Sequence, residues 1–202
     1  MFDRLALRLT KPVVDATARQ LAKRGISANQ VTFACFALGL ASAVLIAAAW
    51  FKVGLVFLLL GRICDGLDGA VARQTQQTDQ GAYLDVSLDF LFYAAVPLAF
   101  ALANPLQNAL AAAVLLAAFI GTGTSFLAYA ILAEKRGEKN TAYPQKSFYY
   151  LGGLTEGLET IAAFMLMCLW PEYFVIFAYV YAAMCAVTTL TRIMAGYENF
   201  RP

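Results

Sequence analysis

Long apolar runs separated by short polar joints dominate this chain. Six of them, near residues 31–49, 53–73, 82–102, 108–132, 148–170 and 173–194, are long enough to cross a hydrocarbon core of about 30 Å as helices. The joints carry matching signals. Ser27 followed three residues later by Gln30 reads as a capping box opening the first run, and Asn104-Pro105 and Trp170-Pro171 fit tight turns. Residues 3–24 follow another pattern, with Arg4, Arg8, Lys11, Arg19, Lys23 and Arg24 set among Leu5, Leu9, Val13, Val14 and Leu21. Pro12 divides this segment and Gly25 supplies a C-terminal stop. It is too charged for a secretory signal peptide and predicts an amphipathic helix on the membrane surface. The expected fold is therefore all-α, a polytopic membrane protein of six transmembrane helices preceded by that surface helix. It forms one domain over residues 1–202, with 1–25 the juxtamembrane helix and 26–202 the bundle.

Composition agrees with a membrane protein: 61% of residues are hydrophobic and 14% charged. The cations set its orientation. Six of the 15 Lys and Arg precede Gly25, Lys135, Arg136, Lys139 and Lys146 share one joint, and Lys52 is the only one in a joint on the opposite side. The positive-inside rule then places both termini, and the joint after the second run, in the cytoplasm. Trp50, Phe51, Trp170 and Tyr173 fall at the boundaries as interfacial anchors. Cys35, Cys64, Cys168 and Cys185 lie in separate runs without paired spacing, which argues against a disulfide framework or zinc site and for buried small apolar residues. With no histidine in the chain, a general base must be a carboxylate, or else Lys, Tyr or Cys.

Against this apolar background the stretch DGLDGAVARQTQQTDQGAYLDVSLD stands out. Asp65 and Asp68 are three apart and Asp85 and Asp89 four apart, so each pair shares a face of its helix. The short polar joint between the helices makes them antiparallel neighbours, and both pairs lie about 12 Å in from their helix ends at 1.5 Å per residue. Facing acidic pairs at one depth repel unless cations lie between them. An all-oxygen set suits a hard divalent ion, Mg or Mn, and four carboxylates can bridge two ions of the kind that clamp a phosphoryl group in transfer. A structural ion-pair cluster with Arg62 and Arg73 is the alternative. Gly66, Gly69, Ala70 and Ala72 suit helix packing, and also let a bulky nucleotide lie against backbone beside the metals, with Arg73 near its phosphates.

The pattern Asp65-x2-Asp68-Gly69-x2-Ala72-Arg73, then Gly81-x3-Asp85-x3-Asp89, resembles the signature of the CDP-alcohol phosphotransferases, membrane enzymes of phospholipid synthesis. The six runs and the basic leading helix extend the resemblance over nearly the whole chain. It implies that Asp65, Asp68, Asp85 and Asp89 hold two Mg or Mn ions, that Asp89 is also the general base, and that the nucleotide rests on Asp65, Asp68, Gly69, Ala72, Arg73 and Gly81. Seven residues separate Arg73 from Gly81 where the family usually has eight, so contacts from residues 75–79 do not carry over. The implied reaction moves a phosphatidyl group from CDP-diacylglycerol to an alcohol, releasing CMP; the reverse assignment, a phosphoalcohol moved from a CDP-alcohol to diacylglycerol, uses the same signature. The compact chain is more similar to the bacterial CDP-diacylglycerol type. A bacterial inner-membrane location, membrane lipid as partner, a homodimer and no nucleic-acid partner follow from that likeness.

The stretch SFYYLGGLTEGLETI opens the fifth run, and Glu156 lies about 12 Å in from Phe148, the depth of the aspartates. Glu156, Glu159, Thr155 and Arg192 are the candidate acceptor-binding residues, with Thr160 and Tyr149 or Tyr150 adding hydroxyls. Alternatively, the glutamates neutralise Arg62 or Arg192. Facing the acceptor, they favour a polyol or an amine; a phosphorylated acceptor would use cations such as Lys135, Arg136, Lys139, Lys146 and Arg192. A transporter is the rival from another class, but an ion path needs polar groups across the whole bilayer, and runs one and four are almost uniformly apolar.

Overall fold

The computed structural model describes residues 2–137 and 153–201, with side chains from residue 12 onward. Among the described residues there are seven α-helices and no strand: α1 (Phe2–Lys23), α2 (Ala28–Ala47), α3 (Phe51–Gln74), α4 (Asp79–Ala103), α5 (Pro105–Lys135), α6 (Gly157–Leu169) and α7 (Phe174–Asn199). Local chemistry sets their ends. Gly25, at φ 76°, closes α1, and the backbone N–H of Ser27 donates to Gln30 Oε1 at 2.9 Å while Gln30 N–H donates to Ser27 Oγ at 3.3 Å, opening α2. Thr78 caps α4 by accepting from Gly81 N–H at 3.1 Å. Asn104 accepts from Gln107 N–H ahead of Pro105, which begins α5.

Among the described residues, four helical stretches are long and apolar enough to cross a membrane: Ala28–Ala47, Asp79–Ala103, Pro105–Lys135 and Pro171–Asn199. The helix α3 has the length, but Arg62, Asp65, Asp68 and Arg73 break its apolar run, and α6 has only 13 residues. Side chains such as Val44, Ile63, Leu91, Leu106, Leu110, Ile131 and Val180 are exposed on the outside of the bundle, an apolar surface suited to lipid.

Several expectations are corrected. Pro12 does not divide the leading segment, since α1 runs through it; the ring removes a single N–H donor from an otherwise continuous helix. The fifth run does not form a helix from Phe148 to Trp170. Residues 148–152 lie outside the described residues, and Gly153 to Glu156 are non-helical, so that α6 starts at Gly157 with Glu156 extended at φ −104° and ψ −174°. Phe51 is not an outward anchor, because its ring stacks on Phe100 at 5.5 Å. Cys35 and Cys64 are paired in a disulfide between α2 and α3, their Cα atoms 5.3 Å apart; only Cys168 and Cys185 are free and buried. Sequence spacing carries no sign of that pairing, which arises because α2 and α3 approach closely at this level: a Cβ on Gly61 would sit 3.4 Å from Cys35 O and from Gly39 N.

The arrangement of α3 and α4 also differs from the expected adjacent pair. Each packs along α2, and they do not pack along one another. Small residues allow this. Gly54 of α3 meets Ser42 O and Ile46 of α2, Ser42 Oγ donates to Gly54 O at 2.7 Å, and Gly39 of α2 receives the ring of Phe92 from α4. Phe92, Phe100, Leu115, Phe164, Met167 and Phe174 fill the main core, while Ala18, Val31, Ala70 and Val71 join α1, α2 and α3 in a second one. The helix α2 is thus a spine that keeps the charged ends of α3 and α4 apart.

A Cβ at Gly39 would lie 2.7 Å from Phe92 Cδ2, and that ring is fully enclosed. Gly39→Ala is expected to destabilise the bundle by about 1–3 kcal/mol through overpacking, read as a lower melting temperature in detergent. Gly66→Ala, with nothing within 4 Å of the added atom, is the control and should melt no lower than the wild type. Equal melting of the two variants would refute this account of the spine.

Candidate functional site

Helical periodicity brings Asp65 and Asp68 to one face of α3, and the spacing enforced by α2 sets that face opposite α4. Carboxylate oxygens of Asp65, Asp68 and Asp85 lie within 4.8 Å of one another. At that separation, like charges repel by roughly 3–4 kcal/mol per pair at an effective dielectric of about 20. A cation between them relieves that repulsion. Part of that positive charge is in the chain: Arg62, one turn before Asp65, donates from Nη1 to Asp89 Oδ1 at 2.7 Å and to Asp65 Oδ2 at 3.4 Å. Its guanidinium also lies 4.3 Å from the centroid of the Phe92 ring.

Asp89 therefore stands apart from the three converging carboxylates, on the guanidinium, where four gathered carboxylates were expected. The ion-pair alternative and the metal-site reading each account for part of the cluster. Arg73, the other cation of that alternative, lines the cleft, and Arg73 Nη1 would sit 3.5 Å from a Cβ added at Gly69.

Asp68 is held from two sides. Thr32 Oγ1 on α2 donates to Asp68 Oδ2 at 2.7 Å, and the N–H of Gly69 donates to Asp68 Oδ1 at 2.6 Å. Thr32 was missed because the first run reads as uniformly apolar. The available signal was Asn29 and Thr32, two polar residues three apart on one face of its first turns. The two lie on the wall of one cavity of about 960 Å³ together with Asp65, Asp68, Asp85, Asp89, Gly69, Ala72, Arg73 and Gly81. Gly81 admits Asn29 at the mouth: a Cβ there would meet Asn29 Oδ1 at 3.2 Å. Tyr93 from α4 and Thr122, Gly123 and Thr124 from α5 complete this part of the wall, so the fourth run also contributes polar groups where sequence showed an apolar span.

The donor chemistry fits a hard divalent cation. Asp65, Asp68 and Asp85 offer only oxygen and converge, and Cys185, the cysteine on the cavity wall, is not one of the converging ligands.

At its other end the cavity reaches Thr155, Glu156, Thr160 and Arg192. Glu156 Oε1 accepts from Gly153 N–H at 3.2 Å, while its buried Oε2 has no hydrogen-bond partner among the described residues. Thr155 donates its hydroxyl to Thr188 Oγ1 at 3.0 Å, and Thr160 shares a 2.8 Å hydrogen bond with Tyr181. Arg192 donates to Thr122 O at 3.2 Å and sits against the Phe126 ring. Glu159 does not line the cavity. Because Glu156 is extended and precedes α6, helical spacing does not put the two glutamates on one face. Arg62 is taken by Asp65 and Asp89 and is not the partner of either glutamate. Of the expected cations, Arg136 is turned to the chain end, donating to Asn199 O and Phe200 O at 3.0 Å, and Lys135 lies off the wall. Tyr149, Tyr150, Lys139 and Lys146 lie outside the described residues.

The model of the CDP-alcohol phosphatidyltransferase family matches residues 26–194, taking in every helix that builds the cavity. The chain belongs to the CDP-alcohol phosphatidyltransferase family. Membership makes it a transferase of that type. Within the family it is 52% identical over 201 residues to the Escherichia coli (strain K12) inner membrane protein YnjF, covering 100% of this chain and 98% of that one. Its fold is that of the Mycobacterium tuberculosis phosphatidylinositol phosphate synthase PgsA1. The structure of that synthase with CDP-DAG bound superposes at a TM-score of 0.73 and 20% identity, covering 92% of this chain and 94% of that one. Its complex with manganese and citrate gives 0.72 and 20%, covering 91% and 88%.

Arg62 supplies the positive charge that Asp65 and Asp89 need. Arg62→Met keeps the stem against Phe92 and removes the charge, and is expected to destabilise the divalent-free protein by about 3 kcal/mol, as when one partner of a largely buried pair is lost. Added Mn should restore more stability to the variant than to the wild type. Melting curves with and without Mn check this, and equal Mn responses would show that the cluster does not depend on Arg62 for its charge.

Proposed function

We propose that this protein transfers a phosphatidyl group from CDP-diacylglycerol to an alcohol acceptor, releasing CMP, in the cleft between α3 and α4. The observation that carries this reading is the convergence of Asp65, Asp68 and Asp85 on a cavity whose wall beside them includes the small residues Gly69, Ala72 and Gly81, with Asp89 one guanidinium away. Family membership supports it, as does the likeness in fold to a synthase solved with CDP-DAG.

Asp65, Asp68 and Asp85 would hold Mg or Mn, and the second ion of a pair would draw on Asp89. Bound there, a divalent ion supplies electrostatic stabilisation of charge on the donor's diphosphate. The remaining work belongs to the chain. Gly69, Ala72 and Gly81 leave room for the cytidine nucleotide, and Arg73 meets its phosphates. Thr32 and the Gly69 N–H fix one carboxylate of the cluster before substrate arrives, so no reorganisation is required of it. Asp89 takes the proton of the acceptor hydroxyl, held toward the cavity by Arg62. The acceptor oxygen forms a bond to the phosphatidyl phosphorus as the bond from that phosphorus to the CMP oxygen breaks, and CMP leaves.

The same reading includes the finer topology. The helices α3 and α6 join the four apolar stretches as a bundle of six crossings within a single domain, and α1 lies on the membrane surface. At 1.5 Å per residue the 24 residues of α3 span about 36 Å, which supports a crossing despite its charges. The name of the Escherichia coli relative supports an inner-membrane location, and the distribution of Lys and Arg supports cytoplasmic termini and an active site open to the cytoplasm. The family resemblance supports a homodimer.

Purified protein with Mg or Mn, CDP-diacylglycerol and a panel of alcohols should release CMP in a reaction that needs both metal and acceptor. Asp68→Asn is expected to lower the rate at least about a hundredfold, the scale of losing a fixed group that stabilises transition-state charge. Release only from a CDP-alcohol with diacylglycerol would reverse the donor, and no release from either would overturn the proposal.

A further inference from the structure

We infer that Glu156 selects the acceptor, and that this acceptor is a small alcohol with a second hydrogen-bond donor, ammonium or hydroxyl, and no phosphate; the inference rests on the transferase reading above. Glu156 is 9% exposed, lines the cavity, and keeps one carboxylate oxygen without a partner among the described residues while the other is held by Gly153 N–H. A buried carboxylate oxygen left unmatched is costly, so such a group persists where a ligand completes it. A hydrogen-bond donor or a cationic group does so, and an anion does not.

The surroundings make Glu156 an adaptor to ligand and not a structural brace. The capping of α6 at this residue uses its backbone, since Glu156 O accepts from Thr160 N–H at 3.0 Å and from the Thr160 hydroxyl at 2.8 Å. The side chain takes no part in that cap. The neighbouring hydroxyls are committed among themselves, Thr155 to Thr188 and Thr160 to Tyr181. Glu156 Oε2 is thus the unmatched acceptor at this end of the wall among the described residues.

Charge argues in the same direction. Five carboxylates, Asp65, Asp68, Asp85, Asp89 and Glu156, line the cavity against the guanidiniums of Arg73 and Arg192. The metal ions, the donor's diphosphate and Arg62 belong to the aspartate end, so the charges lining the α6 end among the described residues are those of Glu156 and Arg192. A phosphorylated acceptor would bring further negative charge beside Glu156, whereas an ammonium or hydroxyl group would satisfy it.

The test uses full-length protein in detergent and reads two signals with serine, ethanolamine, glycerol, inositol, glycerol phosphate and inositol phosphate: the melting shift of protein loaded with Mn and CDP, and CMP release from CDP-diacylglycerol in the presence of Mn. The expected result is a stabilising shift and saturable turnover with one or more of the first four. Serine or ethanolamine leading would identify ammonium as the donor, and glycerol or inositol leading would identify hydroxyl. Glu156→Gln should raise the KM for that acceptor roughly tenfold to a hundredfold, as for losing a hydrogen bond to a charged group. Glu156→Asp, which keeps the charge, should retain part of the affinity. A phosphorylated acceptor bound best, or a Glu156→Gln variant whose CDP affinity falls as far as its acceptor affinity, would overturn the inference. CDP binding without any acceptor response overturns it alone, while failure of the metal-loaded wild type to bind CDP overturns the transferase reading with it.

Discussion

Everything in this structure is arranged around holding like charges close together in a medium that punishes charge. Three carboxylates within 4.8 Å of one another, with a fourth close by, would spring apart if their helices were free to move. Two devices prevent this. Arg62 draws Asp65 and Asp89 toward one guanidinium across the gap between α3 and α4. The spine α2 then fixes the width of the gap, because it packs on each wall by small residues: Gly54 and Gly61 on α3, and Gly39 beneath Phe92 of α4. Phe92 connects the two devices, since the guanidinium rests on the same ring that fills the hollow at Gly39. Packing and electrostatics therefore share a residue.

How much of this could be read from the chain depended on the range of the interaction. The helical class and the pairing of Asp65 with Asp68 and of Asp85 with Asp89 follow from periods of three and four residues, which sequence records directly. The capping box at Ser27 was equally local, and the structure contains both of its hydrogen bonds. What escaped was set by tertiary packing. A seven-residue joint suggested that α3 and α4 pack along one another, but a joint constrains only the helix ends, and each helix packs instead on α2, leaving a cleft between them. Thr32, isolated in an apolar run, acquires its role only because that run faces Asp68. The Cys35–Cys64 pair depends on the same close approach.

The start of α6 shows a different limit. Hydropathy treats SFYYLGGLTEGLETI as the beginning of an apolar span, since glycine and threonine barely interrupt it. Backbone preference outweighs hydropathy here. Gly153 packs so tightly on Thr188 and Arg192 that a Cβ would collide with the Thr188 methyl, and the chain bends through Leu154 and Thr155 to an extended Glu156 before α6 begins. That short non-helical stretch leaves Glu156 on the cavity wall and Glu159 off it. A continuous helix would have carried both glutamates on neighbouring positions of one face.

The two ends of the cavity are consequently organised on opposite principles. At the aspartate end, partners within the chain restrain the side chains: Thr32 and Gly69 hold Asp68, and Arg62 holds Asp65 and Asp89. Groups fixed this way need no rearrangement when charge develops near them, which suits a part of the site that acts on the reacting bond. At the α6 end the hydroxyls of Thr155 and Thr160 are occupied, and one carboxylate oxygen of Glu156 is left for a ligand to complete. Saturated hydrogen bonding gives rigidity, whereas a single unmatched acceptor discriminates, because a molecule lacking the donor leaves that oxygen unpaired on binding. Chemistry fixed at one end and choice at the other would allow the acceptor to change through residues of the α6 end without disturbing the carboxylates that α2 holds in place.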